Sequence, residues 1–175
     1  MKARTSNTAN KMQTSLIVLI TLMISACGFH LRGQTPLPII LQKIFLTSES
    51  DMHDFDVALL TKLNKKNVTI LDKGSSSTDD ILELKILKIS LSDNVLSTAS
   101  DNDTTSISRT LKLTYFIRDN SGKSLYGPRT VSVNESIYNQ DDSTDVVAAR
   151  NAAVLKAMID TLADNLVYDL AYAPL

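Results

Sequence analysis

One cysteine (Cys27), two histidines (His30 and His53) and a few clusters of serines and acids carry whatever covalent or metal chemistry this sequence offers. His53 stands beside Asp54 and Asp56, a donor set that suits a divalent metal. An imidazole at the exposed first turn of a helix reads instead as ordinary surface. Ser75-Ser76-Ser77 has no histidine at the spacing of a nucleophile and its base. Asp101-Asn102-Asp103 and Asp141-Asp142 offer oxygen ligands, but the EF-hand spacing and its closing glutamate are missing, so they read as solvated loop acids. The chain has only 5 glycines, and no phosphate-cradling loop is among them. No catalytic residue, cofactor or metal is expected, which points to a binding or structural role.

The thiol is different. Cys27 follows an uncharged apolar run, 16–24, preceded by Lys2, Arg4 and Lys11 and closed by the small residues Ser25 and Ala26. That pattern is an export signal and not a membrane span, since crossing ~30 Å of hydrocarbon takes roughly 20 apolar residues. The ending Ile24-Ser25-Ala26-Cys27 resembles a bacterial lipobox. The resemblance implies a diacylglyceride on the Cys27 sulfur and cleavage that makes Cys27 the new N-terminus. An acylated sole cysteine leaves nothing for a disulfide. Aspartate after the cysteine tends to hold such proteins at the inner membrane; Gly28 stands there, so the outer membrane is expected. The organisation read from this is a removed signal over 1–26, a lipidated N-terminus and tether over 27–42, and one domain over 43–175.

Charge narrows the partners. The chain has 18 Lys+Arg and 19 Asp+Glu, and the leader takes three of the bases, leaving 15 against 19 and a formal charge of −4. Nucleic acid, whose binding is driven by clustered bases, is excluded. An anionic ligand would have to be met by a local group of Lys and Arg.

The elements that must position such groups follow from periodicity. Residues 34–38, with two prolines, read as an extended tether. Lys43 to Ser48 reads as a strand. Asp51 is placed as the N-cap of a helix with Phe55, Ala58, Leu59 and Leu63 on one face, Lys65 and Lys66 at its end and Asn67 in the left-handed cap. Residues 68–71 form a brief strand. Leu82, Leu84 and Ile86 alternate with Glu83 and Lys85, and then the apolar phase slips to Leu87, Ile89 and Leu91, which places a β-bulge near Ile86-Leu87. Ile107, Leu111, Leu113, Tyr115 and Ile117 mark a further strand, and Asp119-Asn120-Ser121-Gly122 a hairpin loop. A weaker strand carries Val131, Val133 and Ile137 with Glu135 on the same side, and Pro128 demands an edge or an irregular start. Helical spacing over 145–170 closes the chain, its alanines at 148, 149, 152, 153, 157 and 163 allowing close approach to a sheet. The order β-α-β-β-β-β-α predicts an α+β two-layer sandwich, two helices packed on one face of a mixed four- to five-stranded sheet.

Cys27-Gly28-Phe29-His30-Leu31-Arg32, followed by this order of elements through Val68-Thr69-Ile70-Leu71-Asp72-Lys73 to the terminal helix, resembles the LptE family of lipopolysaccharide-assembly lipoproteins. The resemblance implies a non-enzymatic, lipid-anchored subunit of the lipopolysaccharide translocon. Such a subunit sits on the inner leaflet of the outer membrane, helps assemble and plug the LptD-type β-barrel, and binds lipopolysaccharide. In that family, basic residues on loops at one tip of the sheet are linked to lipopolysaccharide. Here no Lys or Arg occurs over 90–108, and the 138–145 loop is acidic. The candidates for an anionic lipid are therefore Lys85, Lys88, Lys112, Arg118 and Arg129. Serine, threonine and asparagine crowd the outward strand positions, which suits a wet barrel lumen, and Thr114 and Ser132 are the candidate barrel contacts. The alternatives are a pilotin-like lipoprotein serving another outer-membrane pore and a lipid-anchored periplasmic enzyme.

Overall fold

The computed structural model describes residues 35–72, 81–98, 104–138 and 144–175. The order is β1 (Lys43–Ser48), α1 (His53–Lys65), β2 (Thr69–Leu71), β3 (Leu82–Ile86), β4 (Ser90–Thr98), β5 (Thr104–Arg118), β6 (Ser124–Tyr138) and α2 (Thr144–Ala171). The strands form one mixed sheet of six, ordered β2-β1-β3-β5-β4, with β6 on β5. β1 runs parallel to both β2 and β3, whereas β5 is antiparallel to β3, β4 and β6. Both helices cover one face, as the alternation requires.

The sixth strand corrects the expected four or five. β3 and β4 pair with successive stretches of β5, Ile86 opposite Tyr115 and Ser90 opposite Lys112. Four steps on one side against three on the other leave one extra residue, the expected bulge, spread over 87–89. The Leu87 N–H still donates to the Thr114 carbonyl at 2.9 Å, so pairing bends there and does not end.

α1 buries Phe55, Leu59 and Leu63, the predicted face. Its end is a Schellman motif. Asn67 has φ 59, Asn67 N–H donates to Asn64 O at 3.0 Å, and Val68 N–H donates to Leu63 O at 3.1 Å. Asp51 is not the N-cap. It has φ 56 and its carboxylate lies 2.6 Å from Lys88, so Met52 occupies the cap position without a side-chain bond. The start of the helix is held from further in: the Asp56 carboxylate accepts from Ser48 Oγ at 2.6 Å and from Ser50 Oγ at 2.9 Å.

The core lies between the helices and the inner rows of the sheet. Leu84 and Ile86 from β3, Leu111, Leu113, Tyr115 and Ile117 from β5, and Met158, Leu162, Leu166 and Leu170 from α2 are all buried. Packing begins earlier than Lys43. Leu37 and Leu41, in the stretch expected as a tether, belong to this cluster because a 3-10 turn at Ile39–Leu41 turns Leu41 inward. The alanines of α2 correct another expectation. Only Ala163 is buried; those at 148, 149, 152, 153 and 157 are exposed and serve helix propensity, not close packing.

β6 is an edge with the irregularity that Pro128 demanded. Tyr115 pairs with Arg129 and Ile117 with Tyr126, so the bulge sits at Gly127-Pro128. Gly127 has φ +97, and a Cβ there would lie 2.8 Å from the Tyr115 carbonyl oxygen.

Candidate functional site

Both helices lie on one face, so among the described residues the other face of the sheet carries no helix, and its chemistry is set by the strand register. Across β4, β5 and β6 the outward rows are Ser90·Lys112·Ser132, Ser92·Thr110·Asn134 and Asn94·Ser108·Ser136, with Thr114 opposite Thr130. The side chains bond to one another along and across these rows. Asn134 Nδ2 donates to Thr110 Oγ1 at 2.9 Å, Ser108 Oγ donates to Asn134 Oδ1 at 3.1 Å, and the Thr114 and Thr130 hydroxyls are 3.1 Å apart. Lys112 is the single charge in these rows. Toward β1 the same face changes character, with rows Thr47·Lys85·Phe116 and Phe45·Glu83·Arg118. There Glu83 is buried, accepts from Thr47 Oγ1, and meets Arg118 at 2.7 Å, and the guanidinium also stands 6.0 Å from the Phe116 ring centre.

The five basic candidates are not brought together. Lys85 and Arg118 lie on the β1-side half of the open face, paired with Glu49 and Glu83. Lys88 sits in the bulge, where hydrogen bonding and attraction from Asp51 raise its pKa. Arg129 is in register with Tyr115 and therefore on the helix-covered side. It pairs with Asp169 at 3.2 Å, and that hydrogen bond raises its pKa. Lys112 alone is exposed on the open face with no ion pair among the described residues. Thr114 and Ser132 do share that face, in adjacent rows.

The sequence reading missed a rung on the helix side. Asp93, Arg109 and Glu135 are in register, and Arg109 Nε and Nη2 donate to the Asp93 carboxylate at 2.8 and 2.6 Å. This hydrogen-bonded pair holds the Asp93 carboxyl below the usual range. Only the register could have revealed it, since 16 residues separate the partners. A second missed unit is the Tyr115 hydroxyl, which donates to Asp169 at 2.8 Å; burial first, and Asp169 next, push that phenol upward.

His53 is exposed at the start of α1, and Asp56 beside it is committed to Ser48 and Ser50. No cluster of three His, Cys, Asp or Glu able to hold a metal occurs among the described residues. Among them no helix is long and apolar enough to cross a membrane. Cys27, His30, Ser75-Ser76-Ser77, Asp101-Asn102-Asp103 and Asp141-Asp142 lie outside the described residues.

The LptE family model, described as lipopolysaccharide-assembly, matches residues 41–170. The protein from Photorhabdus laumondii called LPS-assembly lipoprotein LptE is 29% identical over 161 residues, covering 92% of this chain and 86% of that one. Its namesake from Pectobacterium atrosepticum is 27% identical, with 92% and 85% covered. The crystal structure of a minor lipoprotein from Acinetobacter baumannii superposes with a TM-score of 0.64 over 77% of this chain and 93% of that one. At 19% identity that likeness is one of fold.

Proposed function

Since the chain belongs to the LptE family, we propose that it is a non-enzymatic lipoprotein of lipopolysaccharide assembly, anchored in the outer membrane through acyl chains on Cys27. Its relatives in Photorhabdus and Pectobacterium are named as LPS-assembly lipoproteins, which supports that reading. The domain, running from Lys43 onward with its core reaching back to Leu37, acts as the plug and assembly partner of a large LptD-like barrel.

The observation that carries the plug is the open sheet face. Free periplasm favours charge on an exposed sheet, yet rows 90·112·132, 92·110·134 and 94·108·136 hold one lysine among hydroxyls and amides. Such a face matches the polar, water-filled inner wall of a large barrel, where side chains exchange hydrogen bonds without burying unpaired charge. Lipopolysaccharide carries phosphates, and Lys112 is the cation on this face best able to meet one. Lys85 and Arg118 are already neutralised by Glu49 and Glu83.

The test is photo-crosslinking in cells from Thr114 and Ser132. Capture of the lipopolysaccharide-exporting barrel, with surface lipopolysaccharide falling when the protein is depleted, is expected. Capture of a different outer-membrane pore, with surface lipopolysaccharide unchanged, replaces this reading by the pilotin-like one. Lys112→Glu is expected to weaken binding of lipopolysaccharide while leaving barrel capture intact.

A further inference from the structure

A second surface lies at the end of the domain where the described chain begins. Thr35 is tied down there: its carbonyl accepts from Lys66 Nζ at 2.9 Å and its hydroxyl lies 3.3 Å from the Tyr172 hydroxyl. Tyr172 packs against Tyr168 with ring centres 4.9 Å apart and planes inclined by 51°, and both residues are exposed. Four residues beyond Thr35, the 3-10 turn buries Leu41 and turns Ile39 and Ile40 outward, Ile39 with 84% of its surface in water. The turn is bound to the same end of the molecule, because Thr69 N–H donates to Gln42 O at 2.7 Å and Lys43 is in register with Thr69. Lys43 and Lys65 are exposed here and form no ion pair among the described residues; Asp72 is the acid that follows β2.

Two isoleucines, two tyrosines and two unpaired lysines make an unusual combination for a surface meeting only water. Isolated apolar side chains are normal on a protein surface, but here they stand at the same end of the domain as amphipathic rings and cations. Tyrosine and lysine are the residues that settle at a lipid headgroup layer, and a few exposed aliphatic side chains add the shallow apolar contact. Distance supports the same occupant. From Cys27 to Thr35 is eight residues, at most about 29 Å fully extended.

We infer that this end of the domain, Ile39, Ile40, Tyr168 and Tyr172 with Lys43 and Lys65, rests on the anionic phospholipid surface beside the lipid anchor. The inference builds on the proposed acylation of Cys27. It adds a second contact that orients the domain, so that its open sheet face stands away from the leaflet and toward a partner. Ile39, Ile40, Lys65, Tyr168 and Tyr172 lie outside the strands, and Lys43, at the start of β1, is separated from the β4–β5–β6 rows by β3.

The test uses the full acylated lipoprotein in vesicles of phosphatidylethanolamine and phosphatidylglycerol. Cys27 is the sole native cysteine and its sulfur is acylated, so Ile39→Cys, Tyr172→Cys or Ser132→Cys each supplies a single thiol for an environment-sensitive fluorophore. Nitroxide lipids labelled at headgroup depth should quench the probes at 39 and 172 by about twofold or more and leave the probe at 132 unquenched. Adding Lys43→Glu and Lys65→Glu, or raising salt to about 0.5 M, should reduce that quenching. Equal quenching at all three positions, on protein that floats with the vesicles, overturns the inference and leaves the anchor standing. Mass spectrometry showing an unmodified Cys27 overturns the anchor reading itself, and this inference with it.

Discussion

At the scale of single residues, the charges that define this protein are those whose partners the register supplies. Asp93 illustrates it: two guanidinium hydrogens from Arg109 depress its folded pKa, so the stability it lends is present above the ordinary carboxylate range and lost as pH falls through the folded value. Asp93→Asn should therefore lower the melting temperature near neutral pH, by the equivalent of about 1 kcal/mol or less for a pair this exposed, and the difference should shrink as the pH falls below the usual carboxylate range. A difference that persists in acid would mean packing, not charge, holds the rung. Tyr115 works at the other limb. Burial first and Asp169 second raise its folded pKa, so its contribution is complete below the phenol's usual value and declines as the pH climbs past about 10, where the unfolded chain ionises. Tyr115→Phe should cost about 0.5–1.5 kcal/mol at neutral pH and make the alkaline loss of stability shallower, read from denaturant midpoints across pH. An unchanged alkaline limb would remove Tyr115 from that role.

At the scale of elements, the backbone decides where substitution is tolerated. Gly122 and Gly127 both have positive φ, but a Cβ on Gly122 meets nothing within 4 Å, whereas one on Gly127 meets the Tyr115 carbonyl at 2.8 Å and the Phe116 Cα at 3.1 Å. Gly127→Ala should thus cost about 1–3 kcal/mol and loosen the β5–β6 ladder beside Asp169, with Gly122→Ala clearly the milder of the two. Urea unfolding of both variants ranks them, and equal losses would mean the clash is relieved by a shift of β6. The helix faces and the Ile86–Ser90 bulge were legible in the sequence because each is a local property of spacing. The alanines of α2 were not, since propensity and packing call for the same residue and only the position of the sheet distinguishes them. β4 hid for a related reason: it lies at an edge with every residue exposed, so no buried alternation announces it. The five basic residues could be found but not grouped, because β3, β5 and β6 are set side by side by topology and not by sequence distance.

At the scale of the whole molecule, the two faces of the sheet divide the labour. The family model matches 41–170, so the kinship lies in the body of the domain. That body closes its own core. Leu111, Leu113, Ile117, Leu162 and Leu166 have no exposed surface. The open face, by contrast, satisfies much of its polarity internally through bonds such as Asn134 to Thr110 and Thr114 to Thr130. A protein so arranged gains no core from the barrel it is proposed to enter; association exchanges one set of hydrogen bonds for another and leaves the fold as it was. Cys27→Ser, which removes the sulfur proposed to carry the lipid, should accordingly yield a chain that takes up no labelled palmitate yet unfolds in one cooperative thermal transition. Its melting temperature should be independent of protein concentration, as for a monomer. A non-cooperative melt, or a transition that sharpens only when the barrel is added, would show that the plug face completes the fold. The division between a self-sufficient helix side and a receptive open side would then have to be abandoned.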